Sequence, residues 1–274
     1  MRDPRKRRFL RKIFPPRYKY KPPYKRCQYI TGEGFKDLCK FSYDEYGYAT
    51  NPFVENNYYF VKNDMLDIFF QKYLPCDNFV LISHNSDIGV TEKYLPYLYL
   101  HNLKHWYALN VEISHPKLTS IPIGFCNYSD FLTFQDVQNQ NNPKISMVYA
   151  NYRLRNNAVE RFNCTIETHV APAKPANYRQ YLKDTSQAYF VISPDGNGVD
   201  CYRTWEALYL KAIPIITRNH NSVFYKDLPI IILDSWKDYK NLCLSPKLYE
   251  QIWKDYDPNQ LSLKNFFLAL KPPI

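Results

Sequence analysis

Short apolar runs closed by turn-forming residues recur along this chain, with stretches of helical periodicity between them. Tyr58 to Lys62 (YYFVK), Phe79 to Ser83 (FVLIS), Leu118 to Ile123 and Ile145 to Ala150 read as strands. Met65 to Tyr73, Asn156 to Phe162 and Pro258 to Leu270 read as helices. The clearest unit begins at Tyr189. An apolar run to Ile192 stops at a turn of Ser193, Pro194, Asp195, Gly196, Asn197 and Gly198. A helical pattern from Val199 to Lys211 follows, then a second apolar run, Ile213 to Ile216. Strand, turn, helix, strand is the repeating unit of parallel sheets, so the predicted class is α/β.

Polar, aperiodic Asp136 to Pro143 (DVQNQNNP) predicts a linker between two halves, residues 27–143 and 144–274. A length of 274 residues accommodates both. Residues 1–26 hold twelve lysines and arginines, most of the net charge of +10, punctuated by Pro15-Pro16 and Pro22-Pro23. Such a run predicts a solvated arm that offers peripheral contact to an anionic membrane surface or to nucleic acid. The rest of the chain is near neutral, which argues against specific nucleic-acid binding as its main task.

No apolar run reaches the length of a transmembrane helix, and the N-terminal stretch is too charged for a signal peptide, so the expected location is cytoplasmic. The seven cysteines show no CxxC spacing, which predicts reduced thiols and neither a zinc site nor a disulfide scaffold. The sequons at Asn127 and Asn163 are then expected to stay unmodified. The 26 tyrosines would suit a carbohydrate-binding surface, although a compositional bias is the better account of most of them.

Two of only seven glycines, Gly196 and Gly198, sit in one strand-to-helix turn. Glycine permits unusual backbone and close ligand approach, and the first helical turn offers unpaired N–H groups to phosphate. Arg203 and Glu206 follow one turn apart: a cation for diphosphate and a carboxylate for hydroxyls, or else an ordinary intrahelical pair. Ligands bind beyond the carboxyl ends of parallel strands. That rule selects Asn151 and Arg153 after the 145–150 strand, and the Gly124–Asn127 loop. It also selects His84 and Asp87 after the 79–83 strand as candidates for a general base, with Asn85, Ser86 and Asp87 capping a following helix as the alternative. The sole D-x-D, Asp255-Tyr256-Asp257, precedes a proline and reads as a helix stop.

The segment S-P-x-G-N-G-x-D-x-x-R-T-W-E-A-L, Ser193 to Leu208, followed by I-P-I and D-L-P, resembles the nucleotide-sugar-binding half of the exostosin-like glycosyltransferases. That family includes plant cell-wall enzymes, ribitol-type xylosyltransferases and short members in large DNA viruses of algae. Weaker similarity extends from about Phe60. The resemblance implies a GT-B fold of two Rossmann-like α/β domains facing a cleft, with the last helix crossing back to the first domain. It implies inverting transfer from a nucleotide sugar, UDP-xylose by preference, to a glycan or glycoprotein acceptor, without metal or other cofactor. In a viral chain the site of action would be the host cytoplasm. It implies donor binding by Ser193, Gly196, Asn197, Gly198, Asp200, Arg203 and Glu206. Tyr202 stands where histidine is expected, and Lys211-Ala212 where a small residue such as glycine is expected. Another UDP- or GDP-sugar, or glycan binding without catalysis, would leave the same signature.

Overall fold

The computed structural model describes residues 29–126, 130–174, 176–225, 227–254 and 256–269. The basic arm, Asn127 and Asp255 lie outside them. The described strands form two sheets. The first comprises β1 (Phe41–Asp44), β2 (Gly47–Thr50), β3 (Tyr58–Lys62), β4 (Phe79–His84), β5 (Leu103–Ala108) and β6 (Leu118–Ser120), in the order β2-β1-β3-β4-β5-β6. Only the β1–β2 hairpin is antiparallel, and Gly47 closes it with φ +94°. The second sheet is parallel throughout and runs β10-β9-β8-β7: β7 (Ser146–Ala150), β8 (Ala188–Ile192), β9 (Ile213–Thr217) and β10 (Ile231–Leu233).

The helices are α1 (Gly32–Asp37), α2 (Leu66–Lys72), α3 (Leu95–Leu98), α4 (Phe131–Asn139), α5 (Ala158–Thr168), α6 (Tyr178–Ser186), α7 (Tyr202–Tyr209), α8 (Ser222–Tyr225), α9 (Pro246–Lys254) and α10 (Leu263–Ala269). The α/β class holds. In both sheets, parallel strands follow each other in chain order, so neither contains the reversal of a complete doubly wound sheet; each corresponds to one wound half.

Every residue of β4 is buried, as expected of a parallel strand covered on both faces. Val80 and Ile82 join Phe60 and Tyr107 on one face; Phe79 and Leu81 join Val61, Phe69 and Trp106 on the other. Trp106 is therefore core, with its indole N–H on Ser83 Oγ at 2.9 Å. The first of these clusters continues into Trp205, Leu208 and Tyr209 of α7, so one core spans both sheets. The last helix closes it from the first-sheet side: Phe266 packs on Phe35 and Phe267 on Tyr58. No helix among the described residues is long and apolar enough to cross a membrane.

Several boundaries differ from the sequence reading. Asp136–Asn139 is not linker but the end of α4, which Asp130 caps and which buries Phe134 and Val137. The helix read from Asn156 to Phe162 begins and ends later, as α5. The strand read to Ile123 stops at Ser120, because Ile121 to Gly124 turn toward the second sheet. Gly124, with φ +67°, packs so closely on Ile30 that a side chain there would meet the Ile30 carbonyl oxygen. Asn85, Ser86 and Asp87 cap no helix: the next element, the short 3-10 turn Glu92–Tyr94, starts after Thr91 and leads into α3.

Candidate functional site

The carboxyl edges of the two sheets meet. Asn197 Nδ2, after β8, donates to Asp87 Oδ2, after β4, at 3.1 Å. Ile123 N, after β6, donates to Asp200 Oδ2 at 2.7 Å. Ser120 Oγ donates to Asn221 Oδ1. Beside this seam opens a cleft of about 620 Å³. Asp87, Asn151, Arg153, Gly196, Asn197, Gly198, Asp200, Arg203 and Glu206 line it. Nine residues singled out in the sequence are thus brought together.

Two guanidiniums dominate the second-sheet wall. Arg203, on the first turn of α7, donates from Nε to the Asn151 carbonyl at 2.7 Å and from Nη1 to Ser193 Oγ and the Pro194 carbonyl, both at 3.2 Å. Arg161, which the sequence reading missed, projects from α5 with 4% exposure. Its Nε reaches the Asp195 carbonyl at 2.9 Å and its Nη1 the Arg153 carbonyl at 2.8 Å. Both cations lie within 6 Å of the Tyr152 ring centroid, at 5.8 Å for Arg161 and 5.6 Å for Arg203. Among the described residues neither has a carboxylate within 4.0 Å, so Arg203 and Glu206 are not an ion pair. Burial and the neighbouring Arg203 charge push the Arg161 guanidinium below its ordinary range. Arg161 is buried and Arg203 half-buried, both held by carbonyl and hydroxyl oxygens, and the wall they form would suit an anion.

Asn151 and Arg153 therefore act through the backbone as well as the side chain. Their carbonyls fix the two arginines, while the exposed Arg153 side chain lies on the cleft wall. Ser193 is buried behind Arg203 and also bonds Thr204 Oγ1 at 2.9 Å, so it orients the arginine without lining the cleft.

The carboxylates divide by environment. Glu206 is buried, and each oxygen accepts a phenol: Tyr178 at 2.9 Å and Tyr181 at 2.7 Å. Burial raises its carboxyl above the ordinary range. The wall it presents is a carboxylate–tyrosine cluster of Glu206, Tyr178 and Tyr181. Asp200 lines the cleft, but both its oxygens are taken up by protein donors. It is buried and accepts from Ile123 N, Cys201 N at 2.8 Å, Trp205 Nε1 at 3.0 Å and Tyr225 OH at 2.5 Å. Burial pushes it up to about 6 even against these donors. It is a strut between the sheets. Asp87, by contrast, is exposed at the cleft rim and shares one oxygen with Asn197.

His84 leaves the list of candidate bases. It is the last residue of β4, 1% exposed and outside the cleft. Its Nε2 donates to the Pro122 carbonyl at 2.9 Å, so its Nδ1 accepts the Asn85 N–H at 2.7 Å. Both ring nitrogens are occupied, and burial lowers its basicity.

The glycine turn works by space. Neither Gly196 nor Gly198 has positive φ. A Cβ on Gly198 would lie 2.7 Å from Asn110 Nδ2, and one on Gly196 3.3 Å from Arg161 Nη2. Nor does the helix start at Val199. It starts at Tyr202, after an extended passage in which Asp200 reaches across to Ile123. The glycines thus bring the turn against Asn110 and Arg161 rather than opening the helix.

No group of three or more His, Cys, Asp or Glu side chains that could hold a metal ion occurs among the described residues. The described cysteines are unpaired. The chain matches no protein-family model, and no curated protein matches it significantly.

Proposed function

We propose that this chain is an inverting glycosyltransferase of the exostosin-like type, with a GT-B arrangement and a nucleotide-sugar donor bound in the cleft. The observation that supports it is the pair of arginines on the cleft wall, buried Arg161 and half-buried Arg203, with no carboxylate within 4.0 Å of either among the described residues. A donor diphosphate is a dianion that two preorganised guanidiniums would hold. Tyr178, Tyr181 and Glu206 offer hydroxyl and carboxylate groups to the ribose. Asp87 stands on the first-sheet side, where an acceptor glycan would enter. In the reaction, Asp87 takes the proton of the acceptor hydroxyl as that oxygen bonds the anomeric carbon from the face opposite the diphosphate. The bond from that carbon to the phosphate oxygen breaks. The nucleoside diphosphate leaves with the electron pair, its charge neutralised by Arg161 and Arg203. This reading needs no metal. UDP-xylose is the donor it favours, on the sequence resemblance.

Calorimetric titration with UDP, GDP and a set of UDP-sugars, in the presence of EDTA, tests it. UDP should bind without metal. Arg203→Ala should weaken it by roughly ten- to a hundredfold, the range of charge-assisted hydrogen bonds worth about 1.5–3 kcal/mol. The ranking of sugars identifies the donor. Failure to bind any nucleotide would overturn the proposal.

A further inference from the structure

We infer that a second cavity, at the amino ends of the second sheet's strands and so opposite the first cleft, is a binding site for a phosphate monoester. Its volume is about 510 Å³. Lys144, just before β7, and Lys211, just before β9, both line it, and among the described residues no carboxylate does. Neither lysine forms an ion pair among the described residues.

Lys211 occupies the left-handed position that ends α7, where the Ala212 N–H returns to the Ala207 carbonyl at 2.8 Å. Its φ is +56°, a region open to glycine but costing other residues about 1–2 kcal/mol. Its N–H donates to the Leu208 carbonyl at 3.0 Å, and its carbonyl accepts from Tyr249 OH at 2.7 Å, so the turn is fixed. A glycine or asparagine would make this turn more easily, yet the chain places an ammonium there.

Lys144 is the second half of the argument. A lysine that only neutralised the carbonyl end of α7 would sit close to those carbonyls and keep its charge. Lys144 Nζ instead reaches the Leu210 carbonyl at a long 3.4 Å and lies 5.5 Å from the Tyr249 ring centroid. Burial and the Lys211 charge push its ammonium down to about 7. The other titratable groups lining the cavity, from α7 and α9, are the phenols of Tyr209 and Tyr249, both raised by burial. Lys211, together with a Lys144 that regains its proton on binding, would match a dianion. The space exceeds a bare phosphate, and the Asn139 and Asn142 carboxamides at the wall would meet the hydroxyls of an attached polyol.

Calorimetry at pH 8 with inorganic phosphate and with glycerol phosphate, each in two buffers of different ionisation enthalpy, tests this. A monoester is then a dianion, its second pKa being near 6. Saturable binding should take up nearly one proton, about 1 per ligand, as the anion restores the Lys144 charge. Tighter binding of the ester than of phosphate would assign the polyol contacts; equal binding would assign free phosphate as the ligand and overturn the ester assignment. Lys144→Met, and Lys211→Asn, which keeps the left-handed turn, should each weaken binding about tenfold or more. UDP titration of the same variants should be unchanged, which also reports that they fold. No saturable binding of either probe, or binding without proton uptake that both variants retain, would overturn the inference. The second result would place the anion on the arginines of the first cleft.

Discussion

Asp200→Asn should break the join between the sheets while leaving each sheet intact. The carboxylate serves four donors: three from the second-sheet half (Cys201 N, Trp205 Nε1, Tyr225 OH) and one, Ile123 N, from the first. Asparagine is isosteric and keeps one oxygen. If that oxygen stays with Cys201, Trp205 and Tyr225 at the Oδ1 position, the amide nitrogen faces Ile123 N, donor against donor. One buried hydrogen bond to a charged group is lost, worth about 1.5–3 kcal/mol, and one buried N–H is left unsatisfied. An expected loss of about 2–4 kcal/mol is a large fraction of the ~5–15 kcal/mol that stabilises a typical domain. Urea unfolding followed by tryptophan fluorescence should show the midpoint falling by about 1 M, given a slope of roughly 3 kcal/mol/M for a chain of this size. Hydrogen exchange should show the Ile123 amide losing protection before the β4 amides do. Asp195→Asn is the internal control. Among the described residues the Asp195 carboxylate accepts only a 3.4 Å contact from Asn219 and is pushed up to about 7, by burial first and by Glu160 second. Its neutral replacement should be neutral or stabilising at pH 8. A variant at position 200 unfolding within about 0.5 kcal/mol of the parent, the range of ordinary surface substitutions, would refute the strut.

Asp195 also sets a pH dependence. Its folded value, about 7, lies above its ordinary 3.8, so the native state binds this proton more tightly. Its contribution is greatest below about pH 4 and declines as pH rises to about 7; subtracting the Asp195→Asn stability curve from the parent's should isolate that slope. Gly198→Ala must displace the buried Asn110 side chain, at a cost of roughly 1–3 kcal/mol in chemical denaturation. Asp87→Asn retains an oxygen for Asn197, so it should leave the melting temperature and UDP affinity unchanged; transfer should fall by about 10²–10⁴-fold in a donor-consumption assay. Full activity in that variant would remove Asp87 from the mechanism.

Six of the ten described strands were legible, as apolar runs; β1, β2, β5 and β10 were not, and β5 is buried although Lys104 and His105 interrupt its apolar run. Tyr58–Lys62 was read to the residue, and Phe79–Ser83 fell short by one. Burial on both faces, as in β4, writes itself as an unbroken apolar run. The start of α7 was not legible, because it is set from outside the segment. Asp200 is drawn to Ile123, 77 positions away in sequence, and that bond keeps residues 199–201 out of the helix. His84 looked available because it follows an apolar strand; what occupies it is the Pro122 carbonyl on a distant loop.

Arg161 shows the deeper limit of reading periodicity. The apolar stripe on α5 is Val159, Phe162 and Ile166, which a helical pattern would turn inward. In the folded chain these residues are 76%, 50% and 62% exposed, and the buried face is Arg161, Cys164 and Thr168. Hydrophobic spacing alone selects the wrong face. What turns the helix is that the Arg161 guanidinium finds the carbonyls of Arg153 and Asp195 and the ring of Tyr152, all from loops beyond β7 and β8. A helix that exposes its apolar stripe in order to bury an unpaired cation gives up burial that would otherwise stabilise it. That arrangement is hard to explain by packing and follows directly if the arginine's missing partner is an anion that enters the cleft.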